Sequence, residues 1–302
     1  INASYKGVYV LMEKIKRDKN RVDIAKLDID DLYGDSLTGG YIVKIDKYTG
    51  SGGTDWLSDF PNIGGGQRYI QYHYPEASAI LPQQMQYIEN FVDSFESALA
   101  GPNFTDSLIG YSKYIDVNSF IDLYIINELS KNIDGYRLST YMYKDRDDRG
   151  GKLTMGPFWD YNLAYGNANY CSGGMTNGWE VDGGCGGDNP FWFERLLDDT
   201  TYQNTLKCRW GYLRENSFHY DSISNFIDSL SLYLNDAQQR NFQKWDILGN
   251  YVWPNYYVGN TYQDELVFLK TWISNRLAWI DSNILGHCYM ISGCTDPIAC
   301  NY

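Results

Sequence analysis

The chain has 302 residues, a formal net charge of −13 at pH 7 and 43% hydrophobic residues. This acidic balance argues against a nucleic-acid-binding face, which needs clustered Lys and Arg, and against electrostatic docking on anionic lipid. There is no run of about 18 apolar residues, so we expect no membrane insertion. The surplus of 28 Tyr and 9 Trp suits secreted proteins, glycan binding or broad interfaces, and a Tyr-rich core without any ligand accounts for it equally well.

The front of the chain has the alternation of β-strands. The segment from Tyr5 to Ile15, YKGVYVLMEKI, alternates β-branched and aromatic residues after a Lys-Gly turn and predicts a hairpin strand. The next strand is predicted within Gly39–Tyr48, with Tyr41, Val43 and Ile45 on one face and Ile42, Lys44 and Asp46 on the other. A glycine-rich loop, TGSGGTDW, follows, and GGGQRYIQYHYP leads into a further strand.

From residue 82 onward, helical spacing replaces this alternation. Residues 82–101 place apolar side chains at helical intervals, with Pro in the first turn and Gly at the stop. A second helix is predicted from Asp116 to Asp134, with Asp116 or Asn118 as its N-cap. A β-hairpin follows, made of STYMYKD, the charged turn RDDRGG, and a strand KLTMGPFWD that delivers Asp160 at its end.

The rest of the chain is predicted to be mainly helical. A glycine-rich loop over residues 167–190 comes first. Four amphipathic segments follow: PFWFERLLDD, TYQNTLKCRWGYLREN, DSISNFIDSLSLYLNDAQQRNFQKW and YQDELVFLKTWISNRLAWIDSNIL. The predicted fold class is therefore α+β, with a strand-rich front, a helical back and a hairpin between helices in the middle.

The cysteines indicate an oxidising compartment. There are six, at Cys171, Cys185, Cys208, Cys288, Cys294 and Cys300. Their even number and the absence of paired C-x-x-C knuckles favour disulfides over a zinc site. Among the fifteen possible pairings we favour Cys171–Cys185 and Cys294–Cys300, which leaves Cys208–Cys288, although the spacing leaves other pairings open. We expect an extracellular or cell-surface location.

Polar residues stand at the ends of two apolar elements. Asn132 and Asp134 lie in ELSKNIDGY, and Asp160 and Asn162 lie in WDYN among four aromatic residues. A carboxylate in apolar surroundings is costly unless a metal ion or a cationic side chain meets it. Mg²⁺ is commonly held by one or two carboxylates plus phosphate oxygens, and kinase-like transfer uses one Asp for the hydroxyl proton and another for the metal. Structural capping explains the same aspartates on spacing alone.

These residues resemble a known family. The segments INELSKNIDGYRLSTYMYKDRD and GPFWDYNLAYGN, preceded by YKGVYVLMEKIKRDKNRVDIAKL and GGYIVKIDK, are similar to the CotH family of secreted or spore-coat proteins. The resemblance runs from about Tyr5 to about Asp281 and implies an atypical protein-kinase-like fold. It also implies transfer of phosphate from ATP, with Mg²⁺ or Mn²⁺, to Ser, Thr or Tyr hydroxyls of extracellular or surface proteins.

The resemblance also assigns roles to individual residues. Asp134 is implied to be catalytic, and Asp160 is implied to bind the metal as the Asp of a kinase DFG motif does. Asn162 stands where a second metal-facing group would lie. By the same analogy, Glu13 and Lys44 are candidates to orient the phosphates of the nucleotide or to pair with each other.

The resemblance predicts a kinase-like domain over residues 1–290 and the start of a Cys-bracketed repeat or linker over residues 291–302. CotH proteins have additional strands ahead of the position of Ile1, so we expect the N-terminal lobe to be incomplete in this chain. The tail SGCTDPIACNY is similar to short repeats of exported Bacteroidetes proteins and predicts further modules of a longer chain. Asp-Ser-aliphatic triplets at Asp106 and Asp228 resemble glycosylation sites of that phylum.

Other function classes have weaker support. A catalytically silent scaffold or adhesion module, with Ca²⁺ as a structural ion, is the main alternative. The acidic stretches DIDDLYGD (residues 28–35) and DGGCGGDN (residues 182–189) offer oxygen ligands, but they lack EF-hand spacing and read better as surface turns. Hydrolysis is not indicated, because there is no G-x-S-x-G elbow and His73, His219 and His287 have no evident partner.

Overall fold

The structure is a computed structural model that describes residues 4–47 and 55–289. Within these ranges, strands β1 to β5 span Tyr41–Ile45, Asp55–Leu57, Tyr69–Tyr74, Thr140–Lys144 and Leu153–Met155. Helices α1 to α7 span Pro82–Ala100, Val117–Ser130, Trp192–Leu196, Thr200–Glu215, Tyr220–Tyr233, Asn235–Lys244 and Tyr262–Asn283. None of these helices combines the length and the apolar character needed to cross a membrane.

The five strands form one antiparallel sheet in the order β2-β3-β1-β4-β5. Strand β1 is central, and its Val43 is opposite Tyr72 of β3 on one side and Met142 of β4 on the other. The β4–β5 hairpin, from the middle of the chain, thereby joins the sheet formed by the N-terminal strands β1 to β3. The predicted α+β fold class is confirmed.

The two faces of β1 enter different clusters, as predicted from its alternation. Tyr41, Val43 and Ile45 belong to the main core, which also contains the buried face of α1. Ile42 belongs to a smaller cluster with Ile15, Val22, Ile24 and Tyr141, against which Trp159 also packs. Lys44 is directed to this second face, since its Nζ lies 5.7 Å from the centre of the Tyr141 ring.

Two predicted helices are confirmed, and the end of one is corrected. Helix α1 begins at Pro82, where the missing N–H costs nothing. Helix α2 has the predicted N-cap, because the Asp116 side chain accepts a hydrogen bond from Ser119 N. It ends at Ser130 rather than at Asp134, since Lys131 adopts a left-handed conformation with φ 47°. Asp134 therefore lies in the turn that follows the helix.

The prediction of a strand over Tyr5–Ile15 is wrong. This segment forms no strand, and Leu11 is fully exposed. β-Propensity is realised only when neighbouring strands and a covering face are available, and among the described residues none is present here. The segment instead lies along α6, where Val8 N donates to Asn241 Oδ1 at 3.0 Å.

Two further boundaries differ from the prediction. Strand β5 ends at Met155, so Asp160 stands in a loop, because Pro157 has no N–H to donate to the sheet. The helix predicted over the segment beginning DSISNF is two helices, α5 and α6, that divide at Leu234. Asn235 and Asp236 follow there, and such residues favour helix starts over helix interiors.

The structure contains two of the predicted disulfides, Cys171–Cys185 and Cys208–Cys288. The first closes the glycine-rich loop over residues 167–190. The second joins α4 to the segment after α7. Cys294 and Cys300 lie outside the described residues, as does most of the predicted glycine-rich loop after β1.

Candidate functional site

The turn after α2, residues 131–138, carries Asp134 and is closed by its own backbone. Gly135 N donates to Asn132 O at 2.8 Å, and Leu138 N donates to Asp134 O at 3.0 Å. A Cβ at Gly135 would lie 2.8 Å from Asn132 O and 3.0 Å from Asn127 Cγ, which is closer than real side chains approach. Only glycine fits there, so the close approach of the Asp134 turn to Asn127 depends on Gly135.

The loop after β5 carries Asp160 and Asn162 and is hydrogen-bonded to the Asp134 turn and to the last residue of α2. Ile133 N donates to Leu163 O at 3.4 Å, and Tyr165 N donates to Ser130 O at 2.7 Å. We call residues 160–165 the aspartate loop. The structure therefore brings together the two segments from which the catalytic and metal roles were predicted.

Asp160 occupies a sparsely populated backbone conformation, with φ 65°. For a residue with a Cβ, the left-handed region costs roughly 1–2 kcal/mol, and Asp tolerates it better than most. Such positions persist only where the surroundings enforce them, and they concentrate at functional sites. Asp160 is therefore one of two strained positions in this loop, the other being Tyr165 with φ 56°.

The aromatic neighbours of Asp160 do not bury it, contrary to the expectation from the sequence. Asp160 and Asn162 are both exposed, and Phe158 retains 48% of its surface. Within residues 4–47 and 55–289, neither polar side chain forms a hydrogen bond or an ion pair. The Asp160 carboxylate therefore needs no partner for its own stability, and its oxygens are free to bind one.

Asp134 is already paired with cations. It is only 8% exposed. Its Oδ1 lies 2.5 Å from Arg137 Nη2, and its Oδ2 lies 3.9 Å from Lys47 Nζ, just beyond the end of β1. Arg68 Nη1 in turn donates to Arg137 O at 3.0 Å. Sequence reasoning missed Arg137 and Lys47, although the i,i+3 spacing of Arg137 from Asp134 is a recognisable signal.

Glu13 and Lys44 do not pair with each other. Lys44 Nζ lies 3.0 Å from Asp46 Oδ2, two residues along the same chain segment. Glu13 is half-exposed and pairs with Arg21 and, at 3.5 Å, with Lys16. Their predicted role in orienting phosphates stays a prediction.

Tyr141 links the end of β1 to the aspartate loop. It lies opposite Lys44 in the β1–β4 register. Burial, together with the negative charges of Asp46 and Asp160, raises the pKa of Tyr141 to about 12. Both carboxylates therefore act electrostatically on one hydroxyl. Sequence reasoning missed Asp46 as part of this region, although it follows Lys44 on the same face of the strand.

The donor set fits one class of metal site. The described part of the chain has no group of three or more His, Cys, Asp or Glu side chains arranged to hold a metal ion. Mg²⁺ needs only one or two carboxylates when water and phosphate oxygens complete its octahedron. Asp160 and Asn162 supply accessible, unengaged oxygens of this kind. Asp134 fits less well, because Arg137 occupies its carboxylate.

A buried ionic network supports the Asp134 turn. Glu128 Oε2 lies 3.2 Å from Arg276 Nη2, and both residues are at most 1% exposed. Glu128 also accepts hydrogen bonds from Tyr136 OH at 2.9 Å and from the backbone N of Glu180 and Val181 at 2.9 and 2.8 Å. Burial raises the pKa of Glu128, and the Arg276 charge opposes that change. The network joins α2, α7, the turn and the stapled loop.

A family model described as CotH kinase protein matches residues 1–280. The chain therefore belongs to the CotH family, and the family predicted from the sequence is confirmed. Its five-stranded sheet and following helices are consistent with the kinase-like fold of that family. Comparison with curated proteins gives no match.

Proposed function

We propose that this CotH-family chain transfers phosphate from ATP to Ser, Thr or Tyr hydroxyls of extracellular or surface proteins. The observation that carries the proposal is the hydrogen-bonded union of the Asp134 turn with the aspartate loop, beside two lysines at the end of β1. Phosphoryl transfer depends almost entirely on positioning and charge stabilisation. A rigid pair of acidic segments next to cationic side chains supports that chemistry.

Asp160 and Asn162 would hold Mg²⁺ or Mn²⁺ through their accessible oxygens. When bound, the ion would neutralise the charge on the phosphates of ATP. Lys44 and Lys47 would face those phosphates as further positive charges. Glu13 is a carboxylate, so it could orient phosphates only by positioning a cation, and Arg21 already engages it. Asp134 would orient the acceptor hydroxyl and accept its proton, with Arg137 fixing the direction of the carboxylate.

Nucleotide binding and transfer should separate in two single variants. Asp160→Asn removes the charged metal ligand, so we expect it to abolish metal-dependent ATP binding by titration calorimetry. Asp134→Asn should spare binding and remove transfer to a protein acceptor. Asp221→Asn, on the exposed start of α5, is a matched control that should change neither. A 302-residue wild-type chain that binds no ATP with Mg²⁺ or Mn²⁺ contradicts the proposal.

One observation favours the second candidate, a catalytically silent scaffold or adhesion module. Asp134 is nearly buried and ion-paired, as a structural capping residue would be. In that case Asp134→Asn and Asp160→Asn would alter only the melting temperature. A structural Ca²⁺ would appear as a melting temperature that falls when a chelator is added. In the acidic stretch at residues 28–35, Asp28 pairs with Lys26 and Asp31 with Arg146, so both already have cationic partners.

The proposed location is extracellular or at the cell surface. Two disulfides support it, because such bonds persist in oxidising compartments. The proposal of an exported Bacteroidetes-type protein with further modules depends on residues 292–302, which lie outside the described residues. Its partners would be a protein substrate or a surface protein.

A further inference from the structure

One buried side chain contacts both segments of the candidate site. Asn127, on α2, is 2% exposed. Its Oδ1 accepts a hydrogen bond from Tyr161 OH in the aspartate loop at 2.7 Å. Its backbone O accepts one from Asn132 N in the Asp134 turn at 3.1 Å. Gly135 of the same turn packs against the Asn127 amide.

The amide of Asn127 is not explained by packing alone. Its Nδ2 is buried and has no hydrogen-bond partner among the described residues. An unpaired buried donor is disfavoured, and a leucine of similar size would fill the space without leaving a polar atom unsatisfied. What leucine would not supply is the acceptor for Tyr161. The hydrogen bond to Tyr161 therefore accounts for the asparagine.

We infer that Asn127 is a positioning residue that aims Asp160 relative to the Asp134 turn. The inference rests on the proposed function. Asp160 is held at φ 65°, and the residue that follows it is Tyr161. Without the bond from Tyr161 to Asn127, the backbone at Asp160 is free to relax toward the common negative φ values, which redirects its carboxylate.

The test uses binding of ATP with Mn²⁺, measured by titration calorimetry. Tyr161→Phe removes only the donor hydroxyl, and Asn127→Leu removes the acceptor. Each should weaken binding about tenfold, the effect of one hydrogen bond, and the double variant should bind no more weakly than either single variant. A residue that served stability alone would not produce this non-additivity in affinity. Tyr233→Phe is the matched control, since Tyr233 is 85% exposed at the end of α5 and lies outside both segments, and it should bind like the wild type.

Hydrogen exchange provides a second measurement that does not depend on nucleotide. In Tyr161→Phe, the amides of Ile133 and Tyr165 should exchange faster, because Ile133 bonds to the aspartate loop and Tyr165 bonds to Ser130, the residue before the Asp134 turn. Wild-type affinity in Tyr161→Phe, or faster exchange confined to the aspartate loop, overturns the inference and leaves the proposed function standing. Absence of nucleotide binding by the wild type defeats the proposed function and the role of Asn127 in it, while exchange still decides whether the two segments are coupled.

Discussion

Glu96 is a carboxyl group in the main core, and its replacement by Gln measures the cost of that burial. It lies on α1 and is 1% exposed. Its oxygens accept hydrogen bonds from Ser58 Oγ at 2.9 and 2.8 Å and from Trp192 Nε1 at 2.8 Å. Burial raises the pKa of Glu96 from its ordinary value of 4.5 to about 7, and these hydrogen bonds oppose the rise only in part.

The raised pKa makes the free energy of unfolding depend on pH. Between pH 4.5 and pH 7 the folded chain binds the proton of Glu96 more tightly than the unfolded chain does. The stabilisation is therefore complete below pH 4.5 and is lost as the pH rises through 7. A difference of about 2.5 between the two pKa values corresponds to about 3 kcal/mol. Glu96→Gln is neutral throughout and keeps an oxygen for Trp192 and an amide for Ser58.

Urea unfolding at pH 5, 6, 7 and 8 measures this prediction. The free energy of unfolding of the wild type should fall relative to that of Glu96→Gln by about 3 kcal/mol over this range, with the variant the more stable at pH 8. Comparing the two chains cancels other titrating groups, including Glu180, whose pKa burial also raises to about 7. Glu194→Gln, which is exposed, should follow the wild type. Parallel pH profiles for wild type and Glu96→Gln would refute the reasoning.

Two further stability predictions follow from the supports of the Asp134 turn. Arg276→Met leaves the Glu128 carboxylate buried without its counter-charge, so the free energy of unfolding should fall by about 3–5 kcal/mol in urea; an unchanged value would mean that Glu128 is neutral in the fold. Replacing both Cys171 and Cys185 by Ser removes a disulfide with a sequence separation of 14, so the free energy of unfolding should fall by about 3 kcal/mol. Equal stability of the reduced and oxidised wild type would contradict this prediction.

Local periodicity predicted the elements that local rules control. The alternation of β1 and the 3.6-residue spacing of α1 are visible in any short window. The two predicted faces of β1 enter separate clusters, and the predicted apolar face of α1 packs in the main core. The same rule failed for Tyr5–Ile15, because strand formation depends on partners elsewhere in the chain. Alternation shows only that a segment can pair in a sheet, and no strand among the described residues pairs with this one.

The polar contacts of the site could not be predicted in the same way. Glu128 and Arg276 are far apart in sequence, and only the packing of α2 against α7 brings them together. For Asp160 the prediction was wrong in a different way: its aromatic sequence neighbours suggested a buried carboxylate, whereas the side chain is exposed. In an irregular loop, adjacent side chains leave the backbone in different directions, so neighbours in sequence do not determine burial.

The strained backbone of this chain is concentrated around the candidate site. Every residue other than glycine with positive φ in the described ranges falls between positions 131 and 172: Lys131, Tyr136, Ser139, Asp160, Tyr165, Cys171 and Ser172. Conformations of this kind persist only where surrounding contacts over-determine them. The Glu128–Arg276 pair holds Tyr136, and the Cys171–Cys185 bond holds the end of the strained stretch. A buried ion pair costs desolvation energy, and an ordinary loop after α2 would not need one. The Glu128–Arg276 pair is therefore better explained by the geometry that it imposes on Asp134 and Asp160 than by stability alone.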